Sequence, residues 1–275
     1  MNKRKRKKVI HTTLIYLALI LIALICAGPF LWILSTSFKT GRNIYSMQFF
    51  FKNPTFSNYT GVFKFLSVPK YIGNTLIITV SSIAIDVIFS ALCAYPLACM
   101  DFKGKKIIMG ALVASMIIPA AAGMIINYLI ITKIHMLDKL IGVILPGSVK
   151  VFSIILLRQS YLGIPKELIE AARIDGAKET RIWWQIMMPG IMPSVSTIVI
   201  FDFIGRWNEF LWPIIVLQNP EKYPLATALQ YLNGMFNYKF GYIAAGTVIS
   251  IIPIIIVFLL CQKNYIEAIS GAVKG

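Results

Sequence analysis

Charged residues are scarce in this chain of 275 residues, of which only 14% are Asp, Glu, Lys or Arg. A soluble globular domain carries about 25% charged and about 45–50% apolar residues. Here 57% of the residues are apolar, more than a water-soluble fold of this size can cover. The composition therefore excludes a soluble single-domain enzyme, a disordered chain and a secreted disulfide scaffold. It predicts an all-α protein that crosses a membrane several times.

Residues that carry catalytic or metal chemistry are also few. The chain has two histidines, His11 and His135, which lie far apart, and four cysteines without CxxC spacing. Such cysteines are typical of small buried apolar side chains. The sequence has no GxxxxGK[ST] loop that could hold a nucleotide phosphate. We therefore predict no catalytic residue, no metal site and no cofactor on this chain.

Basic residues outnumber acidic ones, 27 to 11, which gives a net charge of +16. In a soluble protein this excess would indicate a nucleic-acid partner. In a membrane protein Lys and Arg collect on the cytoplasmic side, which explains the excess without nucleic acid. We expect membrane lipid around the chain and no nucleic acid.

Six apolar runs are long enough to cross a bilayer, since a helical span needs about 20 residues. The predicted spans are residues 10–34, 72–98, 106–132, 140–158, 191–215 and 242–262. The fourth is the weakest, because Pro146, Gly147 and Lys150 interrupt it. With the N-terminus inside, most Lys and Arg fall on the inner side, so both termini are predicted to be cytoplasmic. The basic segment 1–9 and the tail 263–275 then flank a membrane domain of residues 10–262.

The inner segment 159–190 is longer than connecting loops usually are. Pro165 suits the first turn of a helix, and Gly176 suits the left-handed position where a helix ends. A second short helix is predicted from about Lys178 to Met188, stopping before Pro189. A short amphipathic helix of this kind lies on a lipid surface or docks in a groove of a partner. The mixed charge of its polar face favours docking.

The run EAARIDGAKETRIWWQIMMPGIMPS, residues 170–194, resembles the EAA loop of bacterial ABC-importer permeases. The matching positions are Glu170, Ala171, Ala172, Gly176 and the apolar pair before Pro189, where Met188 replaces the usual Leu. Three further stretches are similar to the carbohydrate-uptake branch of that family, in particular its maltose-type second permease. They are RWNEFLWPIIVL (206–217), PLATALQYL (224–232) and SGAVKG (270–275).

This resemblance implies the type I ABC-importer permease fold and a subunit of an ATP-driven importer for a sugar or oligosaccharide in the bacterial cell membrane. The partners it implies are a second permease subunit, two ATPase subunits that hold ATP and Mg, and an extracellular solute-binding lipoprotein or periplasmic protein. The EAA helix would fit a cleft on the ATPase and move as a lever. The ATPase-coupling residues it implies are Glu170, Ala171, Ala172, Asp175, Gly176, Lys274 and Gly275. A tail packed along its own permease is the alternative for the last two.

Polar side chains inside a span are costly, so each is a candidate for function. Asp202, Arg206 and Glu209 share one face of the fifth span by their spacing. Asp86 lies near the middle of the second span, where Arg206 is a plausible partner. Internal salt bridges and interhelical hydrogen bonds are the structural alternatives. The candidates for the substrate pathway are Asn74, Asn127, Asn208, Glu209 and Trp212.

Two other functions stay open at this point. The same architecture could import a sugar phosphate, a polyol or a peptide, although a phosphate would favour a basic cluster and only Lys150 and Arg206 lie within spans. An ATP-independent secondary transporter is the alternative from another class. It predicts broken helices in matching positions of two halves, and it leaves the segment 159–190 unexplained.

Overall fold

The computed structural model describes residues 3–49, 53–235 and 240–272. Across these residues the regular structure is helical and includes no strand, as the all-α prediction required. The chain divides into two compact units. One comprises Met1–Leu66 with Tyr231–Ile251, and the other Ser67–Gln230 with Ile252–Gly275.

The first unit holds α1 (Lys3–Ser37), a 3₁₀ turn (Gly41–Tyr45), α2 (Ser57–Phe65) and the beginning of α14 (Phe240–Ala272). Asn58 on α2 donates hydrogen bonds of 2.8 Å to the carbonyl oxygens of Ser37 and Lys39. A Cβ atom at Gly241 would lie 2.5 Å from the Asn58 side chain, so only glycine permits this approach of α14. Asn58 therefore joins the end of α1 to the start of α14.

The second unit is built around α3 (Val68–Cys99), which packs along α7 and α11. The other helices of the unit are shorter, and α13 continues past its boundary. In chain order after α3 the helices are α4 (Lys105–Ser115), α5 (Ala120–Lys133), α6 (Leu140–Ile144), α7 (Val151–Leu162), α8 (Lys166–Ile174), α9 (Glu179–Ile182), a π-helical stretch (Trp183–Met187), α10 (Met188–Gly190), α11 (Met192–Trp207), α12 (Leu211–Val216) and α13 (Leu225–Met235).

Two apolar clusters form the core of the second unit. The first joins the C-terminal half of α3 to α7, α11 and the segment 163–190. Its buried members include Ala91, Leu157, Ile169, Ile182 and Ile198. The second joins the N-terminal half of α3 to α5, α6 and α12. Its buried members include Ile78, Ile131, Val143, Trp212 and Val216.

Between the two apolar clusters lies a polar layer that three chain segments share. Asp86 is on α3, Lys150 immediately precedes α7, and Asp202 is on α11. Asp86 and Asp202 are buried, with exposures of 0% and 3%. A buried charge is tolerated only when it is paired or hydrogen-bonded, so this layer is where the structure must supply partners.

Three of the six predicted spans are single long apolar helices: Ile10–Ser37, Val68–Cys99 and Phe240–Leu260. The other three runs are interrupted. The fourth breaks between α6 and α7, as its Pro and Gly predicted. The third and fifth break as well, which the sequence analysis did not expect.

Proline explains both unexpected breaks. Pro119 precedes α5 in an extended conformation and lacks the N–H that would continue α4. In the fifth run, a continuous helix would drive the ring of Pro213 into the carbonyl of Glu209, four residues earlier. The chain instead leaves the helix after Trp207 and resumes at Leu211.

The segment predicted at 159–190 begins at 163, because α7 continues to Leu162. It has the predicted order of helix, Gly turn, helix, with a further correction at its end. The second helical stretch continues through Pro189 to Gly190 instead of stopping before it. It includes the π-helical turn Trp183–Met187. Since Pro189 cannot donate a backbone hydrogen bond, the wider turn before it lets the helix pass this residue. The helices Glu179–Gly190 and Met192–Trp207 then meet at an angle of 73°.

Candidate functional site

A cavity of about 310 Å³ lies beside the polar layer, where the breaks in the fourth and fifth runs meet α5. Two of its polar side chains, Lys150 and Glu209, lie in those breaks, where the chain leaves the helix and opens space between neighbouring helices. The lining residues are Met124, Asn127, Pro146, Gly147, Lys150, Gly205, Arg206, Glu209 and Trp212.

Arg206 is held at the edge of this cavity by backbone carbonyls. Its Nη2 donates to the oxygen of Gly147 at 2.5 Å and to that of Pro146 at 3.5 Å. Gly147 has a φ of 68°, a left-handed conformation that glycine adopts without strain. Within the described chain Arg206 forms no ion pair. Its Nε and Nη1 atoms donate no hydrogen bond there.

Asp86 and Arg206 do not pair, which corrects the partner suggested from the sequence. Asp86 accepts hydrogen bonds from Ser90 Oγ (2.7 Å), Ser153 Oγ (2.6 Å) and the backbone N–H of Lys150 (2.8 Å). The break before α7 brings the N-terminus of that helix to Asp86. Helix N-termini carry unsatisfied N–H groups and favour a negative charge, so Asp86 is satisfied without a cation.

Asp202 also has a partner other than Arg206. The Lys150 ammonium donates to Asp202 Oδ1 and forms an ion pair with it. Lys150 therefore contacts both buried carboxylates, one through its backbone and one through its side chain. In the sequence Lys150 stands out as an interruption of the fourth span, and its place in the polar layer was not predicted. The sequence feature that could have revealed this role is a lysine inside an apolar run.

Three of the five predicted pathway residues line the cavity: Asn127, Glu209 and Trp212. The other two have structural partners. Asn74 donates to the carbonyl oxygens of Glu221 (2.9 Å) and Tyr223 (3.1 Å), which anchors the turn before α13 to α3.

Asn208 is exposed and donates to the carbonyl oxygen of Ile204 at 2.8 Å, within its own helix end. Asn208 follows the last residue of α11, which stops at Trp207.

Glu209 and Trp212 are both engaged in the fold at the cavity wall. Glu209 Oε1 accepts the backbone N–H groups of Leu211 (3.2 Å) and Trp212 (3.3 Å), which caps α12. Trp212 is only 6% exposed, and its Nε1 donates to Gly142 O at 3.3 Å. Trp212 thus shows the cavity a small part of its ring.

The residues of the predicted coupling loop divide between a buried and an exposed side of α8. Ile169 and Ala172 are buried against the first core cluster. Glu170 and Ala171 are exposed. The φ of Gly176 is 76°, the left-handed conformation that its position at the helix end predicted.

One carboxylate ties this segment to α3. Glu179 Oε2 accepts a hydrogen bond of 2.6 Å from Tyr95 Oη, and its Oε1 accepts one of 2.7 Å from Arg173 Nε. The Arg173 bond, with a further contribution from Tyr95, holds the pKa of Glu179 below its ordinary value. Sequence reasoning missed this contact, because Tyr95 and Glu179 are 84 residues apart and no local pattern joins them.

A second cavity, of about 210 Å³, lies between the end of α3 and α8, and Glu170 lines it. Asp175 is exposed beside the Gly176 turn. Lys274 and Gly275 lie outside the described residues. The helix α14 runs as far as Ala272 before them.

Residues 86–268 match the family model described as "binding-protein-dependent transport system inner membrane component". The arabinooligosaccharides transport system permease protein AraQ of Bacillus subtilis is 34% identical over 223 residues, which are 80% of this chain and 79% of that protein. The diacetylchitobiose uptake system permease protein NgcG of Streptomyces coelicolor is 28% identical over 257 residues, 92% of this chain and 85% of its own length. A chain in the crystal structure of a bacterial ABC transporter that imports the acidic polysaccharide alginate has a TM-score of 0.82 and 27% identity. The match covers 96% of this chain and 99% of that one.

Proposed function

Since the chain belongs to the family of binding-protein-dependent transport system inner membrane components, a family of permeases, we propose that it is the membrane-spanning subunit of an ATP-driven importer for a sugar or oligosaccharide. The protein is a multi-pass protein of the bacterial cell membrane. The observation that carries the proposal is that α7 and α11 each have one end at the cavity and the other at the segment 163–190, part of which is exposed.

This arrangement suits alternating access. The helix α7 begins next to Lys150 at the cavity and ends at Leu162, where the segment starts. The helix α11 starts at Met192, where the segment ends, and returns to Arg206. A force on the segment therefore reaches both walls of the cavity through packed helices, which transmit displacement because their interiors are dense.

The membrane topology that we propose has six spans with both termini in the cytoplasm. Spans three, four and five would be the interrupted helix pairs. Non-helical backbone at membrane depth is tolerated where it is buried in protein or lines a cavity. The breaks on the cavity wall at Gly147 and Glu209 are of that kind.

Of the ATPase-coupling residues, Glu170, Ala171, Asp175 and Gly176 would contact one of two partner ATPase subunits, which hold ATP and Mg. Ala172 is buried against the first core cluster and would instead hold α8 in place. The amphipathic α8 supports the coupling role, since its buried side is used in the core while Glu170 remains exposed. A second permease subunit and an external solute-binding protein would complete the importer. Lys274 and Gly275 would reach the ATPase pair below the end of α14.

The substrate class rests on the relatives together with the cavity. AraQ is named for arabinooligosaccharides and NgcG for diacetylchitobiose, and the structural neighbour imports a polysaccharide. The polar groups of Asn127, Lys150 and Arg206 at the cavity can bond sugar hydroxyl groups. A sugar phosphate, a polyol and a peptide are competing cargoes of the same architecture.

The test uses the whole importer in proteoliposomes, with the second permease, the ATPases and the binding protein. Glu170→Lys should assemble normally and lose sugar uptake and sugar-stimulated ATP hydrolysis. The control is Glu221→Lys, which reverses an exposed carboxylate that pairs with Lys70 at the opposite end of α3 from the segment. Normal coupled uptake by the Glu170→Lys complex would refute the coupling assignment. Full uptake without ATPase subunits would establish an ATP-independent carrier instead.

A further inference from the structure

Arg206 is the one cation on the cavity wall that contacts no described acidic side chain, since Lys150 pairs with Asp202. Glu209 on the same wall likewise contacts no described basic side chain. The possible partners of Arg206 are engaged elsewhere. Asp202 pairs with Lys150, Asp86 accepts two serine hydroxyls and a backbone N–H, and Glu209 caps α12. The guanidinium of Arg206 contacts only the carbonyl oxygens of Pro146 and Gly147.

This arrangement is costly unless the cation has a further role. A charged side chain in a membrane-spanning segment normally pairs with an opposite charge, and carbonyl dipoles neutralise only part of a full charge. Here the break in the fourth run supplies two carbonyls that hold Nη2 in place. The donors at Nε and Nη1 are left without a protein partner in the described part of the chain. A cation that is held in a fixed position at a cavity wall can bind an anionic ligand.

We propose that the imported carbohydrate carries a carboxylate, as a uronic-acid oligosaccharide does, and that Arg206 binds this group during passage. The inference rests on the proposed function and narrows its substrate class. A guanidinium is planar and matches a carboxylate with two parallel hydrogen bonds, which makes it the side chain best suited to this anion. Lys150 lies on the same wall, but its ammonium is already paired with Asp202, so Arg206 is the cation left for the carboxylate.

The wall is less suited to a neutral sugar. Neutral sugars are commonly held by stacking on an aromatic face, and the aromatic ring here, Trp212, is 6% exposed. With hydroxyl groups alone, Arg206 would still have no carboxylate in direct contact, since Asp202, Asp86 and Glu209 bond elsewhere. A carboxylate satisfies both the charge and the two unused donors.

The experiment measures uptake by the complete importer in proteoliposomes. The probes are trigalacturonate and trimannuronate, each compared with its methyl ester, which has the same sugar and no charge. Arg206→Gln should reduce uptake of the acids at least about tenfold more than uptake of the esters, since truncating one member of a desolvated charge pair is expensive. Any preference of the solute-binding protein for the acid or the ester is the same in every assay. Dividing the uptake by the variant by the uptake by the wild type, for each probe, therefore removes this preference from the comparison.

Two further variants make the result decisive. Arg206→Lys keeps the positive charge but loses the planar guanidinium that donates two parallel hydrogen bonds. Its uptake of the acids, relative to the esters, should therefore fall less than that of Arg206→Gln. Lys133→Gln removes an exposed lysine at the end of α5 and should change neither probe. Co-purification checks assembly. If Arg206→Gln does not assemble, the ratio of acid to ester uptake in Arg206→Lys decides, and equal losses overturn the inference.

The outcomes separate the inference from the function on which it rests. A wild-type importer that takes up neutral arabinotriose or maltotriose and no uronide overturns the inference and leaves the proposed function intact. Equal losses of acid and ester in Arg206→Gln show that Arg206 is only structural. A wild-type importer that takes up none of these sugars overturns both.

Discussion

Tyr95 Oη lies 2.6 Å from Glu179 Oε2 and donates a hydrogen bond to it, so α3 is joined directly to the first turn of α9. Arg173 on α8 bonds the other oxygen of the same carboxylate at 2.7 Å. One side chain thus fixes both helices of the segment 163–190 to each other and to the longest helix of the second unit. The proposed coupling role, in which this segment would transmit force, needs such a fixed attachment.

Removing the Tyr95 hydroxyl should weaken coupling and leave assembly unchanged. One hydrogen bond contributes about 0.5–1.5 kcal/mol net, too little to unfold the protein. We expect Tyr95→Phe to lower sugar-stimulated ATP hydrolysis by the reconstituted importer while basal hydrolysis persists. The control is Tyr16→Phe on the exposed face of α1. Full stimulation in Tyr95→Phe would show that this bond is dispensable for coupling.

The Glu179 carboxylate should make the segment sensitive to acid. Its pKa is lowered by the Arg173 hydrogen bond, with Tyr95 adding to the effect. A group with a depressed folded-state pKa stabilises above its unfolded value and loses that contribution as pH falls through the folded value. Protection of residues 163–190 against proteolysis should therefore fall as pH drops below the ordinary value of 4.5.

Glu179→Gln is the matched variant for this pH experiment. It should be less protected at pH 7 and should lack the part of the acid-induced loss that Glu179 causes. Identical pH profiles for the variant and the wild type would contradict the assignment.

Gly176 should not tolerate a side chain. Its φ of 76° costs an L-residue about 1–2 kcal/mol. We expect Gly176→Ala to lower the local stability of the segment, which amide hydrogen exchange measures. The control is Gly110→Ala within α4, where a Cβ meets nothing within 4 Å and φ is not positive. That change should be neutral or stabilise by about 0.5–1 kcal/mol. Equal effects of the two changes would rule out a special role for the turn.

Lys150 and Asp202 should be energetically coupled. Removing Lys150 alone leaves a carboxylate buried at 3% exposure, so a double-mutant cycle with Lys150→Met and Asp202→Leu should give a coupling of about 0.5–3 kcal/mol. Unfolding of the purified complex in a denaturing detergent measures it. The exposed pair Lys70–Glu221 is the control and should give about 0–1 kcal/mol. A coupling for Lys150–Asp202 as small as the control would contradict a structural pair.

Much of this protein could be derived from its sequence, because the features concerned are local. Apolar runs of sufficient length predicted a multi-pass α-helical protein. The break at Pro146 and Gly147, the two-helix segment and the left-handed Gly176 follow from backbone preferences within a few residues. The residue types and spacing of the EAA run indicated the family, and the family match confirms it.

The partners of the charged residues were decided by the tertiary structure. The sequence placed Asp86 and Arg206 at similar depths. The breaks before α7 and after α11 then changed which groups face each other, so Asp86 meets the start of α7 and Arg206 meets two carbonyls. The Tyr95–Glu179 bond likewise depends on how helices 84 residues apart pack. Helical periodicity determines which face a residue occupies, and only the packing of the interrupted helices determines what lies opposite that face.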